Sequence, residues 1–264
     1  MKLLILFIGL LWVLPSKAGA ILEGNPKQGS LILGQTKPGN TVKLDQRDVR
    51  VSSTGRFVLG FSRDAKKRFE LVINEPNGSF EKRILNIEQR TYALQRINGL
   101  PKNMISPPKE ILERIRIENK KIWHVRMRDS GYNFFSLGFI WPAKGRISGV
   151  YGSQRILNGE PKQPHYGIDI AAPKGSLVIA PADGVVVLAE RDLYYSGGTI
   201  ILDHGHGLTS AFLHLDKIFI SVGDTISKSK PIGTIGSTGR TTGPHLDWRI
   251  NWFENRIDPG LLVE

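Results

Sequence analysis

The sequence predicts a mainly β protein: an N-terminal β-sandwich, a linking helix and a C-terminal antiparallel β-sheet domain. Three observations carry this. Residues 21 to 100 hold short runs of β-forming residues separated by turn signals. Pro107-Pro108 opens a stretch with apolar residues at helical spacing. From Phe139 onward, short apolar runs alternate with glycine-rich turns, the pattern of an antiparallel sheet. With 40% hydrophobic and 23% charged residues among 264, the chain has the composition of a globular protein able to bury a core.

Residues 1 to 20 read as a cleavable secretory signal. Lys2 precedes the apolar run Leu3 to Leu14, and Pro15 and the small-residue exit Ala18-Gly19-Ala20 place cleavage before Ile21. The run is short for a membrane span, and no later stretch is long and apolar enough to be one. The chain has no cysteine, so an exported protein of this sequence folds without disulfides and carries no lipidated cysteine.

Residues 21–100 are expected to form the β-sandwich. Its strands are read at Ser30-Leu-Ile-Leu, Thr41-Val-Lys-Leu, Arg56-Phe-Val-Leu and Phe69-Glu-Leu-Val-Ile; the last is followed by the turn Pro76-Asn-Gly78 and Ser79-Phe-Glu-Lys-Arg-Ile-Leu. This part has no histidine and only scattered carboxylates, so it points to binding, spacing or shielding. Residues 101–138 are the helical linker, with Ile111, Leu112, Ile115, Ile122 and Trp123 on the apolar positions and the prolines at its start. Residues 139–264 make the second domain, with strands at Val178–Pro181, Gly184–Leu188, Thr199–Leu202, Leu208–Phe212 and Pro231–Ile235.

The chemistry concentrates in that second domain, in Pro-His165-Tyr-Gly-Ile-Asp169-Ile, Phe-Leu-His214-Leu and Gly-Pro-His245-Leu-Asp247-Trp. Proline and glycine argue against helices there, so strands are expected. Alternation then puts His165, Gly167 and Asp169 on one face, with Gly167 leaving room between two ligands. It puts His245 and Asp247 on one face with Leu246 and Trp248 on the other, and His214 opposite Leu213 and Leu215. Five metal-competent side chains are thus expected to converge. His204 and His206, in Asp203-His-Gly-His-Gly-Leu, belong to a tight turn rather than to a ligand set, and His124 lies outside every motif. The loop before His165 offers Arg155 and Asn158 as groove residues.

These segments resemble the lysostaphin-type (M23) zinc metallopeptidases, over roughly residues 140 to 260. The likeness extends to Gly175-Ser-Leu-Val-Ile-Ala-Pro-Ala-Asp-Gly-Val-Val, Val222-Gly-Asp, Pro231-Ile-Gly-Thr-Ile-Gly and Ser237-Thr-Gly-Arg-Thr-Thr-Gly-Pro-His, in the family's order. The resemblance implies a lysostaphin-type sheet domain, one Zn2+ per chain, and hydrolysis of peptide cross-links in peptidoglycan. It implies His165 and Asp169 as ligands, His245 as general base or orienting group, and His214 as stabiliser of the tetrahedral intermediate. Where the family ends its motif His-x-His, this chain has Asp247, a third ligand by position that zinc chemistry accepts. A dication facing two carboxylates is formally neutral and stabilises hydroxide less than a site with one. The N-terminal part looks like the immunoglobulin-like module that precedes the peptidase domain in some members.

Other hydrolytic chemistries are excluded by the residues. There is no cysteine, no serine in a nucleophile elbow and no His-Glu-x-x-His. A net charge of +12, or +10 once Lys2 and Lys17 leave with the signal, favours anionic wall polymers or a membrane surface. The export signal and the lack of a basic-aromatic repeat argue against nucleic acid. The expected location is periplasmic or elsewhere in the cell envelope. The competing reading is a catalytically silent relative that binds peptidoglycan or activates another wall hydrolase.

Overall fold

The structure is a computed structural model that describes residues 19–97 and 107–263. The signal-peptide reading falls almost wholly outside the described residues, as does the first part of the linker.

The N-terminal strands are β1 (Ile21–Glu23), β2 (Leu31–Gln35), β3 (Thr41–Leu44), β4 (Arg47–Val49), β5 (Arg56–Gly60), β6 (Arg68–Asn74) and β7 (Phe80–Asn86). They form two antiparallel sheets, β1-β2-β5 and β4-β3-β6-β7. Ile32, Phe57 and Leu59 of the first sheet and Val42, Leu44, Leu71 and Ile73 of the second belong to one buried core. Asn77-Gly78 closes the β6–β7 hairpin, with Gly78 at φ +87 where a side chain would be strained. Strand β5 is buried on both faces, and Gly60 explains how: a Cβ there would lie 2.6 Å from Trp252 Cβ, far along the chain. The two parts of the chain therefore share a core.

Next come β8 (Leu94–Ile97), the helix α1 (Lys109–Arg126), β9 (Arg146–Gly149), β10 (Gln154–Leu157), β11 (Glu160–Pro161) and β12 (Ile168–Ala171). The pairing of β8 with β10 is parallel and joins the end of the N-terminal part to the loop before His165. The sequence reading contained no such strand. β8 is short, Leu94 is exposed, and its hydrogen-bonding partner is more than fifty residues away.

The remaining strands are β13 (Leu177–Ile179), β14 (Gly184–Leu193), β15 (Gly197–Gly205), β16 (Leu208–Ile218), β17 (Thr225–Ile226), β18 (Pro231–Ile235), β19 (His245–Trp252) and β20 (Asn255–Ile257). They build one large sheet in the order β17-β14-β15-β16-β19-β12-β9, with β13, β18 and β20 attached. One face carries Phe212, Leu246, Trp248, Ile250 and Trp252 into the main core. On the other face Ile201, Ala211 and Leu213 pack under Val125 and Ile122 of α1. The helix is also pinned by polar contacts, since Glu118 accepts a hydrogen bond from the Tyr194 amide at 2.8 Å and Lys121 pairs with Glu190. Trp123 points to solvent instead. The fold is thus mainly β with antiparallel sheets, as expected, and the apolar face of α1 covers Leu213, the register partner of Asp247.

Candidate metal centre

Strand β19 sets the site. Leu246, Trp248 and Ile250 are fully buried in the core, so the alternate residues His245, Asp247 and Arg249 face the other way. Asp247 lies opposite Asp169 on β12 and opposite Leu213 on β16. His165 is not on a strand as expected, because β12 begins only at Ile168. Extended backbone holds it instead: its amide donates to Ser153 O at 2.9 Å and its carbonyl accepts from the Gly152 amide at 2.8 Å.

His165, Asp169 and Asp247 each bring one ligand atom into a group whose members lie within 4.8 Å of one another. His165 Nε2 and Asp169 Oδ1 are 3.1 Å apart. Both atoms are buried, and neither has a hydrogen-bond partner. Two lone-pair-bearing atoms in such contact, out of reach of water, repel unless a cation lies between them, so the residues fit a metal ion. One imidazole and two carboxylates are also a donor set that zinc accepts.

The two remaining predicted residues reach the same place. His245 Nε2 lies 3.9 Å from Asp169 Oδ1, and the His214 and His245 rings are 4.8 Å apart. His214 gets there by an irregularity. Its φ is +64, the amide donates to Ser196 O, and the β15–β16 register shifts at this point. Leu213 and Leu215 consequently enter different clusters, one under the helix and one in the main core, so simple alternation does not hold here.

Both histidines are oriented by one loop. His214 Nδ1 donates to Thr238 O at 2.8 Å and His245 Nδ1 to Gly243 O at 2.8 Å. A carbonyl only accepts, so Nδ1 carries the proton and Nε2 offers a lone pair in each neutral ring. The segment Ser237-Thr-Gly-Arg-Thr-Thr-Gly-Pro thus fixes two tautomers. Burial, partly offset by the Asp247 charge and the Thr238 carbonyl, holds the His214 imidazole below its ordinary pKa of 6.5.

Sequence reasoning missed Arg249. Its Nε lies 2.9 Å from Asp247 Oδ1 and 3.1 Å from Oδ2, and its Nη2 lies 2.6 Å from Oδ2. Burial alone would raise the Asp247 pKa, but the guanidinium outweighs it and keeps the carboxyl ionised. Gly167 makes the space: a Cβ there would collide with Asp247 Oδ1 and come 2.7 Å from Arg249 Cγ. The gap expected at that glycine is filled by the ion pair. Alternation along β19 was the signal that could have found Arg249. Arg155 approaches Asp169, Nη2 to Oδ2, at 3.5 Å, whereas Asn158 is exposed.

The other histidines stay apart from the group. His204 is fully buried, with ring nitrogens 2.6 Å from Asp183 O and 2.7 Å from Ser210 Oγ, and His206 sits at φ +52 in the β15–β16 turn. His124 is on the exposed side of α1.

The family model for peptidase family M23 matches residues 163–259, the span that supplies all five site residues. Residues 163–259 form an M23 domain. A crystal structure from Pseudomonas aeruginosa named for peptidase M23 superposes with a TM-score of 0.71 at 26% identity, covering 90% of this chain and 95% of that one. Because the match spans nine-tenths of the chain, it takes in the N-terminal sheets as well as the M23 domain. The peptidoglycan DD-endopeptidase ShyA of Vibrio cholerae is 39% identical over 109 residues, 41% of this chain and 25% of that protein. The murein hydrolase activator NlpD of Escherichia coli is 34% identical over 119 residues, 45% of this chain and 29% of that protein. The chain thus matches only about a quarter of the length of these curated relatives.

Proposed function

We propose that this chain is an exported, zinc-dependent endopeptidase that hydrolyses peptide cross-links of peptidoglycan in the cell envelope. The observation that supports it best is the contact between His165 Nε2 and Asp169 Oδ1, two buried and unpartnered donor atoms grouped with Asp247. In this reading His165, Asp169 and Asp247 hold one Zn2+, which when bound supplies Lewis acidity toward water and the scissile carbonyl. His245 orients the attacking water and accepts its proton at Nε2. The proton that the water gives up passes from His245 to Nε2 of His214, whose ring lies 4.8 Å away, and from there is donated to the oxyanion that forms on the carbonyl. Buried Leu213 and Ala211 under α1 limit water on one side of these groups.

In the proposed organisation residues 1–20 are the signal, 21–100 the β-sandwich, 101–138 the helical linker and 139–264 the peptidase domain. The surplus of positive charge suits the carboxylates of peptidoglycan and other anionic surfaces of the envelope.

A second reading is a catalytically silent activator of another wall hydrolase. The similarity to NlpD, together with Asp247 in the place of a histidine, favours it. Elemental analysis of the purified mature chain, followed by incubation with isolated peptidoglycan, separates the two. One zinc per chain, with muropeptide cross-links released and the release stopped by chelation, supports the enzyme. His165→Ala and Asp169→Ala should lose the metal and the activity together. A metal-free wild type that releases nothing sinks the enzyme and leaves the activator.

A further inference from the structure

Asp247 and Arg249 stand two residues apart on the site face of β19, and the contact between them is a fork. Both carboxylate oxygens accept from the guanidinium, at 2.6 to 3.1 Å, and the Asp247 side chain is 4% exposed. Oδ1 accepts from Nε alone and so keeps a further lone pair, and Asp247 belongs to the same ligand group as Asp169 and His165. The fork fixes the plane of the carboxylate, and Gly167 leaves the room in which both side chains lie.

We infer that Arg249 is a positioning residue of the metal centre, and that Asp247 and Arg249 together take the part of one neutral ligand. The inference rests on the reading of Asp247 as a ligand. Two carboxylates cancel a dication, which is the neutral site that the sequence alone implies. The guanidinium returns one positive unit, the charge that a site of two histidines and one aspartate has. A carboxylate that is both aimed and half-neutralised from behind is a different donor from a lone aspartate. The pair is also matched: a histidine at position 247 would leave the Arg249 cation without its anion, beside a metal ion.

Zinc affinity, measured by competition with a chromophoric chelator and with the fold checked by circular dichroism, tests this in five proteins. They are wild type, Arg249→Gln, Arg249→Lys, Asp247→His, and Asp247→His combined with Arg249→Gln. Arg249→Gln should weaken zinc binding about 10- to 100-fold, the usual range for losing a partner of a ligand. Arg249→Lys keeps the charge without the fork and should fall between it and wild type. Asp247→His alone should bind poorly, and adding Arg249→Gln should recover about tenfold or more. Equal affinity of wild type and Arg249→Gln overturns the inference. If Arg249→Gln does not fold, equal affinity of Asp247→His with and without Arg249→Gln overturns it. A wild type that takes up no zinc overturns the underlying reading of the site, and that result is distinct from either.

Discussion

The carbonyl of Thr238 accepts from His214 Nδ1, and five residues on the carbonyl of Gly243 accepts from His245 Nδ1, both at 2.8 Å. The two imidazoles are therefore held through Nδ1, and Nε2 of His245 lies 3.9 Å from Asp169 Oδ1. In the proposed function these two groups serve the reaction and not metal retention. His214→Ala and His245→Ala should each lower turnover on peptidoglycan by about 10²–10⁴-fold, with zinc near one per chain in elemental analysis. If either substitution strips the metal, that histidine is a ligand.

Gly167 carries a prediction of its own. A methyl group at this position would overlap Asp247 Oδ1 and crowd Arg249 Cγ. Gly167→Ala should therefore weaken zinc binding by displacing Asp247 although no donor atom is removed. Chelator competition showing wild-type affinity would mean that the strands separate enough to absorb the methyl.

Trp248 lies between Asp247 and Arg249 in sequence but on the opposite face. It is fully buried, with its ring 5.9 Å from that of Trp141. Trp248→Ala should cost about 3–5 kcal/mol of stability, by the cavity left in a packed core. Urea unfolding monitored by far-UV circular dichroism measures it. A loss under about 1 kcal/mol would show that the core refills the space.

His204 gives a pH signature of folding. Burial pushes its pKa from 6.5 down to about 4. Between those values the unfolded chain binds a proton that the folded chain does not. The contribution is thus fully present above pH 6.5 and is lost as the pH falls toward 4. Its size is about 3 kcal/mol at most. Stability measured across this window should fall in the wild type and fall less in His204→Gln. Parallel curves would show that other groups set the acid limb.

Much of the site could be read because it depends on period-two alternation and on where glycine and proline stop a helix. His245 and Asp247 on one face, and Leu246 and Trp248 on the other, follow directly from that rule. The turn at Asn77-Gly78 was equally plain, since its backbone needs glycine. Three features were not legible. His214 is re-aimed by a left-handed residue inside a strand, and nothing in Phe-Leu-His-Leu marks it. His165 is held by hydrogen bonds to the 152–153 backbone, a long-range pairing without a local signal. The parallel partner of β10 comes from a short exposed segment whose side chains show no pattern. Arg249 is of another kind: the alternation that placed Asp247 also placed it, but a charge beside a ligand is easily read as surface.

The meeting of Gly60 with Trp252 has a consequence for how the chain can be cut. Trp252 and Ile257 share one buried cluster with Phe57 and Leu59, and Arg90 reaches Asp258 at 2.9 Å. The M23 motifs end inside this shared interior, so a protein trimmed to begin at Phe139 would open an aromatic wall to water. Residues 163–259 are the span that the family model matches, yet the N-terminal sheets act as the floor beneath its last two strands.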